Sequence, residues 1–203
     1  MESLNLSGND RRSDGWLKSL LWPTVDNAWD VNYLGQQGFW ICLLIAVVTL
    51  VWSFLLGSPG AALLGLFSAL FYFLGGVGVR QGSWHAALVV SLAYGLNMLT
   101  TLAAGSLPGL PTIIFAAILL TNLRAAFLAS EWKPAGPDED TPQRFSETLV
   151  DKFVDQLPIR LWPTLQIPFY VLGSLVILLT TLALAAVVAH RFGLLPSSPP
   201  AHP

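Results

Sequence analysis

Residues 38–57, GFWICLLIAVVTLVWSFLLG, contain no charged side chain. A run of this kind leaves few folds open. Crossing the hydrocarbon core of a bilayer takes roughly 20 apolar residues in a helix, which satisfies its own backbone N–H and C=O groups where no water can. Four further runs share this character: 61–79, 84–105, 112–130 and 167–189. Among the five, only the fourth carries a Lys, Arg, Asp or Glu, namely Arg124 near its end. The runs lack a period of two, which disfavours a β-barrel. The expected fold class is all-α: an integral membrane bundle of five transmembrane helices, with cytoplasmic interfacial amphipathic helices attached.

Composition narrows the function classes. Charged residues make up 11% of the 203 and apolar residues 54%, whereas an average soluble domain is about 25% charged. The formal net charge of −2 argues against a nucleic-acid partner, which calls for a basic face. The single cysteine, Cys42, forms neither an internal disulfide nor a thiolate zinc site alone. Residues 1–37 are polar and broken by Gly and Pro, unlike a cleavable signal peptide, so the first apolar run is expected to target the chain and remain in the bilayer. Much Ala, Leu and Gly with little Lys suggests a bacterial plasma (inner) membrane.

The chain divides into a cytoplasmic juxtamembrane segment, 1–37; a core of four spans, 38–130; a cytoplasmic loop, 131–166; a fifth span, 167–190; and a Pro-rich outer tail, 191–203. In the first segment, Ser13 suits a cap for a face made of Trp16, Leu17, Leu20 and Leu21, ended by Pro23. Thr24 suits a cap for a second short helix, with Val25, Ala28 and Trp29 on one face and Gly35 as its stop. In the loop, Thr141-Pro142 reads as a helix start. From there Phe145, Leu149, Val150, Phe153, Val154 and Leu157 share a face, and Arg144, Glu147, Asp151, Lys152 and Asp155 lie opposite. Pro158 is expected to end this surface-lying helix. Leu161-Trp162-Pro163-Thr164 repeats Leu21-Trp22-Pro23-Thr24, which reads as a shared device: Pro ends an interfacial helix and Trp anchors it before the chain enters the bilayer.

Basic residues set the expected orientation. Arg11, Arg12 and Lys18 precede the first span, Arg80 separates the second and third, and Lys133, Arg144, Lys152 and Arg160 separate the fourth and fifth. The other two loops carry none, and only Arg191 follows the fifth span. Lys and Arg near span ends stay on the cytoplasmic side, so the N-terminus is expected inside and the C-terminus outside. Trp16, Trp22, Trp29, Trp40, Trp84, Trp132 and Trp162 map to the inner interface, and Trp52 to the outer. Nearly all the chemistry for recognition then lies on the cytoplasmic face, where Phe145, Leu149, Phe153, Leu157 and Trp162 form a candidate partner face. The polar side of that helix is acidic, so packing on the span ends or on a protein is favoured over attraction to anionic lipid.

Within the spans, small and hydroxyl residues recur at helical spacing: Gly65, Ser68, Ala69, Tyr72, Gly75 and Gly76; Ser91, Tyr94, Gly95, Met98 and Thr101; Ala117, Thr121, Arg124 and Ala125; Ser174, Thr181 and Ala185. Such residues let helices approach closely and bond across the seam. The functional alternative is a polar pathway lined by Tyr72, Tyr94, Asn97 and Arg124, since an intramembrane ionisable group is a functional suspect. The spans as drawn contain no acidic residue to pair with Arg124, which lies near enough to the inner end to snorkel. No HExxH or nucleophile–base set is present and no carboxylate cluster lies within a span, so no catalytic, metal or cofactor site is expected. The expected function is non-enzymatic: a multi-pass protein that scaffolds, or assembles with, a protein partner or copies of itself in the lipid bilayer. The alternative is a transport or channel component using the seam between spans two, three and four.

Overall fold

A computed structural model describes residues 23–25, 28–131, 150 and 152–194, without the side chains of residues 28, 29 and 152. Five helices account for most of them: α1 (Ala28–Leu55), α2 (Pro59–Arg80), α3 (Trp84–Ala103), α4 (Leu110–Ser130) and α5 (Leu157–Arg191). A π-helical turn, Lys152–Gln156, leads directly into α5. Among the described residues there is no strand. All five helices are long and apolar enough to cross a membrane.

Turn chemistry fixes the connections. Gly57 adopts φ +71°, a conformation open to glycine without the Cβ penalty. Ser58 then caps α2 by accepting from Ala61 N at 3.1 Å, with Pro59 at the start of the helix. At the other end of α2, Gly82 (φ +72°) reverses the chain, and Ser83 caps α3 by accepting from Ala86 N at 3.3 Å. Neighbour packing closes a ring in the order α1, α2, α5, α3, α4 and back to α1, with α2 also touching α3 across it. Helix α2 is consequently the most enclosed, and residues 74–80 are buried without interruption.

Glycines bring α2 close to its neighbours. A Cβ on Gly76 would stand 2.8 Å from Cys42 Cβ and 3.3 Å from the Phe39 carbonyl oxygen. One on Gly78 would stand 2.5 Å from the Trp162 ring and 2.6 Å from Ala86 Cβ. These are the close approaches expected from small residues at helical spacing. Gly65, Ala69, Thr121 and Ala125 are buried as that pattern anticipates, and Ser91 Oγ donates across helices to the Leu119 carbonyl at 3.2 Å.

Three expectations are corrected. Gly35 does not stop a helix: α1 runs through it, and Gly35 lies against the Val79 carbonyl oxygen, where a Cβ would stand 3.5 Å away. The boundary at 37/38 therefore falls inside a helix. Nor do Pro158 and Pro163 end one. Pro158 sits in the first turn of α5, directly after the π-helical turn, and Pro163 and Pro168 lie inside the helix. Flanking anchors hold the helix together there: Trp162 is seated on Gly78, and Phe169 is fully buried. The boundary at 166/167 is thus also internal. Finally, Ser174, Thr181 and Ala185 face outward, and α5 packs instead through Phe169 and Gly173.

Candidate functional site

The ends of the bundle differ in length as well as chemistry. At one end α5 stops level with α3, since Arg191 Nη1 donates to the Ala103 carbonyl at 2.8 Å. Helix α5 has 35 residues and α3 has 20, and at the opposite end the extra length lies against the bundle, with Val154 on Phe39 and Val77 and Trp162 on Gly78. At about 1.5 Å rise per residue, a 20-residue helix spans about 30 Å. That end holds Arg80, whose partners come from two other elements.

Arg80 closes α2 and is only 2% exposed. Its Nε donates to Asp155 Oδ1 at 3.1 Å, and Nη2 donates to the same oxygen. Its Nη1 donates to the Asn32 carbonyl at 3.0 Å and to Asn32 Oδ1 at 2.8 Å. A guanidinium has five N–H donors in a planar fork, and here the fork joins α1, α2 and the turn before α5. Burial of such a charge is tolerated only when it is paired and hydrogen-bonded. Beside it is a cavity of about 20 Å³, lined in part by Gly35, Arg80, Gly82 and Asn122, which is room for about one water molecule. Asn122 itself donates to the Ile118 carbonyl at 3.0 Å and is 3% exposed.

The π-helical turn explains how Asp155 reaches Arg80. Val154 and Asp155 are consecutive, yet both are buried. A π turn widens the helix locally and is often found where function requires it. Val154 packs with Phe39 and Val77, against Leu161 and Trp162. Phe153 meets Phe39 edge-on, with ring centroids 5.7 Å apart, and Trp40 at 6.5 Å. Trp40 and Phe153 remain 39% and 38% exposed.

The residues singled out from the sequence are dispersed. Tyr72 and Tyr94 do meet, edge to face, with centroids 6.3 Å apart. They belong to an aromatic column in which Phe71 stacks on Phe169 at 5.6 Å. Asn97 is exposed on α3, apart from them. Arg124 donates to the Pro23 carbonyl at 3.0 Å and so ties α4 to the segment before α1. Of the candidate partner face, Phe145 and Leu149 lie outside the described residues. Phe153 is half-exposed on Phe39 and Trp40, and Leu157 opens α5. Trp162 turns inward, beside Phe169 and Tyr170 at 5.6 and 6.1 Å.

The ionic cluster itself is absent from the sequence reading, which takes Arg80 as a loop charge and Asp155 as part of a polar helix face. One signal was available. Gly75, Gly76 and Gly78 run up to Arg80, so the neighbouring helices close around that end. Among the described residues no group of three or more His, Cys, Asp or Glu converges. No protein-family model, curated protein or solved structure matches the chain.

Proposed function

We propose that this chain is a five-span integral membrane protein with its N-terminus in the cytoplasm and its C-terminus outside, serving as a non-enzymatic scaffold for a protein partner. The membrane reading is supported by the outward surface: Leu44, Val47, Val51, Phe54, Leu63, Leu66, Leu120, Val171, Leu178 and Leu182 are all exposed. Water would not tolerate that belt, and lipid would. Orientation is supported by basic residues clustering in the connections at the Arg80 end, with Arg191 alone at the other end.

The observation that carries the partner reading is the exposed aromatic contact of Trp40 and Phe153 at the Arg80 end, with Tyr33 and Val150 also exposed. Exposed aromatic side chains at an interface are the usual anchors of protein recognition. Cross-linking and co-purification of the full chain test it. Tyr33→Glu with Val150→Glu, both outside the core, is expected to release the bound partner while thermal stability is kept. Retention of the partner by this variant overturns the reading. Flux through purified protein in liposomes that Tyr94→Phe abolishes without unfolding would favour the transport alternative. The tight pairing of Tyr72 and Tyr94 with the Phe71–Phe169 stack supports a packing role for that seam. A cysteine placed at residue 138 that is modified only from outside intact cells would reverse the topology.

A further inference from the structure

At the Arg80 end, one short piece of chain covers an apolar interior. It is the π-helical turn Lys152–Gln156, in which Val154 is fully buried with Phe39 and Val77, and Asp155 grips Arg80. We propose that the Arg80–Asp155 pair is a latch, and that this turn is a strap which leaves the bundle end as a local unit when the pair is broken, uncovering Phe39 and Val77.

Three observations carry the proposal. The first is that the hold of the strap is concentrated in few contacts. Among its described side chains Val154 is the one fully buried, Phe153 rests on Phe39 and Trp40 while half-exposed, and Asp155 supplies the ionic link. The second is that Arg80 is not stranded when Asp155 departs. It keeps the two Asn32 acceptors on α1, and it borders the small cavity beside Asn122. An ion pair whose cation has a second set of acceptors opens at lower cost than one left bare. The third is that release of the turn need not unwind α5. Immediately after the turn, Pro158 is buried and Trp162 is fixed over Gly78, so unwinding has a natural limit at residue 157. Low-stability units of this sort are where proteins open locally.

The uncovered surface would extend the exposed Trp40–Phe153 contact inward. Its use by a partner rests on the scaffold reading above, whereas the opening itself does not and is measured on the protein alone. The chain provides its own control, because Cys42 is its single cysteine and is fully buried in the central core. Two thiols are compared in the full-length, detergent-solubilised protein: Val154→Cys on a Cys42→Ala background, and native Cys42 in the otherwise unchanged chain. Each is exposed to a maleimide with and without Asp155→Asn. Asp155→Asn is expected to raise the modification rate at position 154 by about tenfold while Cys42 remains as protected as before. Adding Arg80→Met with Asp155→Met, which removes both charges, is expected to return position 154 to its original rate. A rise below about threefold at position 154, or a matching rise at Cys42, overturns the proposal, since the pair would then hold either nothing separate or the whole bundle. Should Asp155→Asn yield no folded protein, Asp155→Glu, which keeps the charge but displaces it, is judged by the same two thresholds.

Discussion

Two arginines stand at helix C-termini at opposite ends of this bundle, and they do different work. Arg80 is buried, pairs with a carboxylate 75 residues away in sequence and reaches a third element through Asn32. Arg191 lies at the surface and donates to the Ala103 carbonyl, one of the last carbonyls of α3. The first is a structural junction, and the second completes a helix end. The same side chain is therefore worth very different amounts, and the deciding variable is what would be left unpaired if it were removed. At the Arg191 end, water can replace the lost partner. At the Arg80 end, a carboxylate would be left facing Val154 and the interior.

That contrast makes its largest prediction at the ion pair. Arg80→Met alone is expected to lower stability by about 3–5 kcal/mol, because Asp155 is left as an uncompensated charge in a closed site. Asp155→Met alone is expected to cost less, because Arg80 keeps its two Asn32 acceptors. The double variant with both residues as Met is expected to fall within about 1 kcal/mol of the natural chain, since replacing a buried pair by apolar groups is often neutral. A denaturation cycle over the four proteins, followed by helical circular dichroism, measures this. Additive losses in the double variant would show that Arg80 and Asp155 act separately.

Next in size is the packing that brings the junction together. Gly78→Ala is expected to cost about 1–3 kcal/mol, since its new methyl would press on the Trp162 ring and on Ala86, and overpacking in a closed core has that cost. At the opposite end, Gly60 has nothing within 4 Å of an added Cβ, so Gly60→Ala is expected to be neutral or slightly stabilising. Comparable losses at both glycines would erase the distinction between a packed end and an open one.

How much of this could be read from the sequence follows from range. The five helices were legible because a spanning helix satisfies its backbone within itself, so hydropathy over one local run is nearly sufficient. The turn at 57–60 was legible too, as Gly and Pro act on their own few residues. The prolines of α5 misled for the opposite reason. Pro163 does remove a backbone donor, but Trp162 on Gly78 and the buried Phe169 hold the helix together around it, and those contacts come from distant sequence. The ionic cluster was hidden for the same reason, with an added difficulty. Assigning faces at 100° per residue places Asp155 with the polar side chains, whereas in the structure it is buried next to Val154 and reaches Arg80, a partner 75 residues away. Of the proposed seam, Tyr72 and Tyr94 recur with small residues on packed faces and meet edge to face. Asn97 is exposed on α3 and Arg124 donates to the Pro23 carbonyl, and neither environment follows from a local pattern.

The two serine caps give a smaller test of the same contrast. Ser58 and Ser83 each accept a backbone N–H in the first turn of a helix, and removing such a cap costs about 1 kcal/mol. Ser83, at the Arg80 end, also lies 3.3 Å from the Tyr170 hydroxyl. Ser83→Ala is therefore expected to exceed Ser58→Ala by about 0.6 kcal/mol, the usual worth of an interhelical hydrogen bond inside a membrane bundle. In a Tyr170→Phe background the two serine variants should become equal.

The smallest effect belongs to Arg191. Its guanidinium satisfies a helix-end carbonyl in an exposed setting, where a cation near a C-terminus contributes about 0.3–1 kcal/mol at most and salt weakens it. Arg191→Ala is expected to change the unfolding midpoint barely, and to change it less as ionic strength rises. Arg80→Met should show almost no such salt dependence, because a pair 2% exposed on its cationic side is shielded from counterions. The slope of stability against salt, rather than the size of either loss, is thus the sharper measure. If both variants respond equally to salt, then Arg80 is reached by solvent as Arg191 is, and the difference between the two ends reduces to the number of hydrogen bonds each arginine makes.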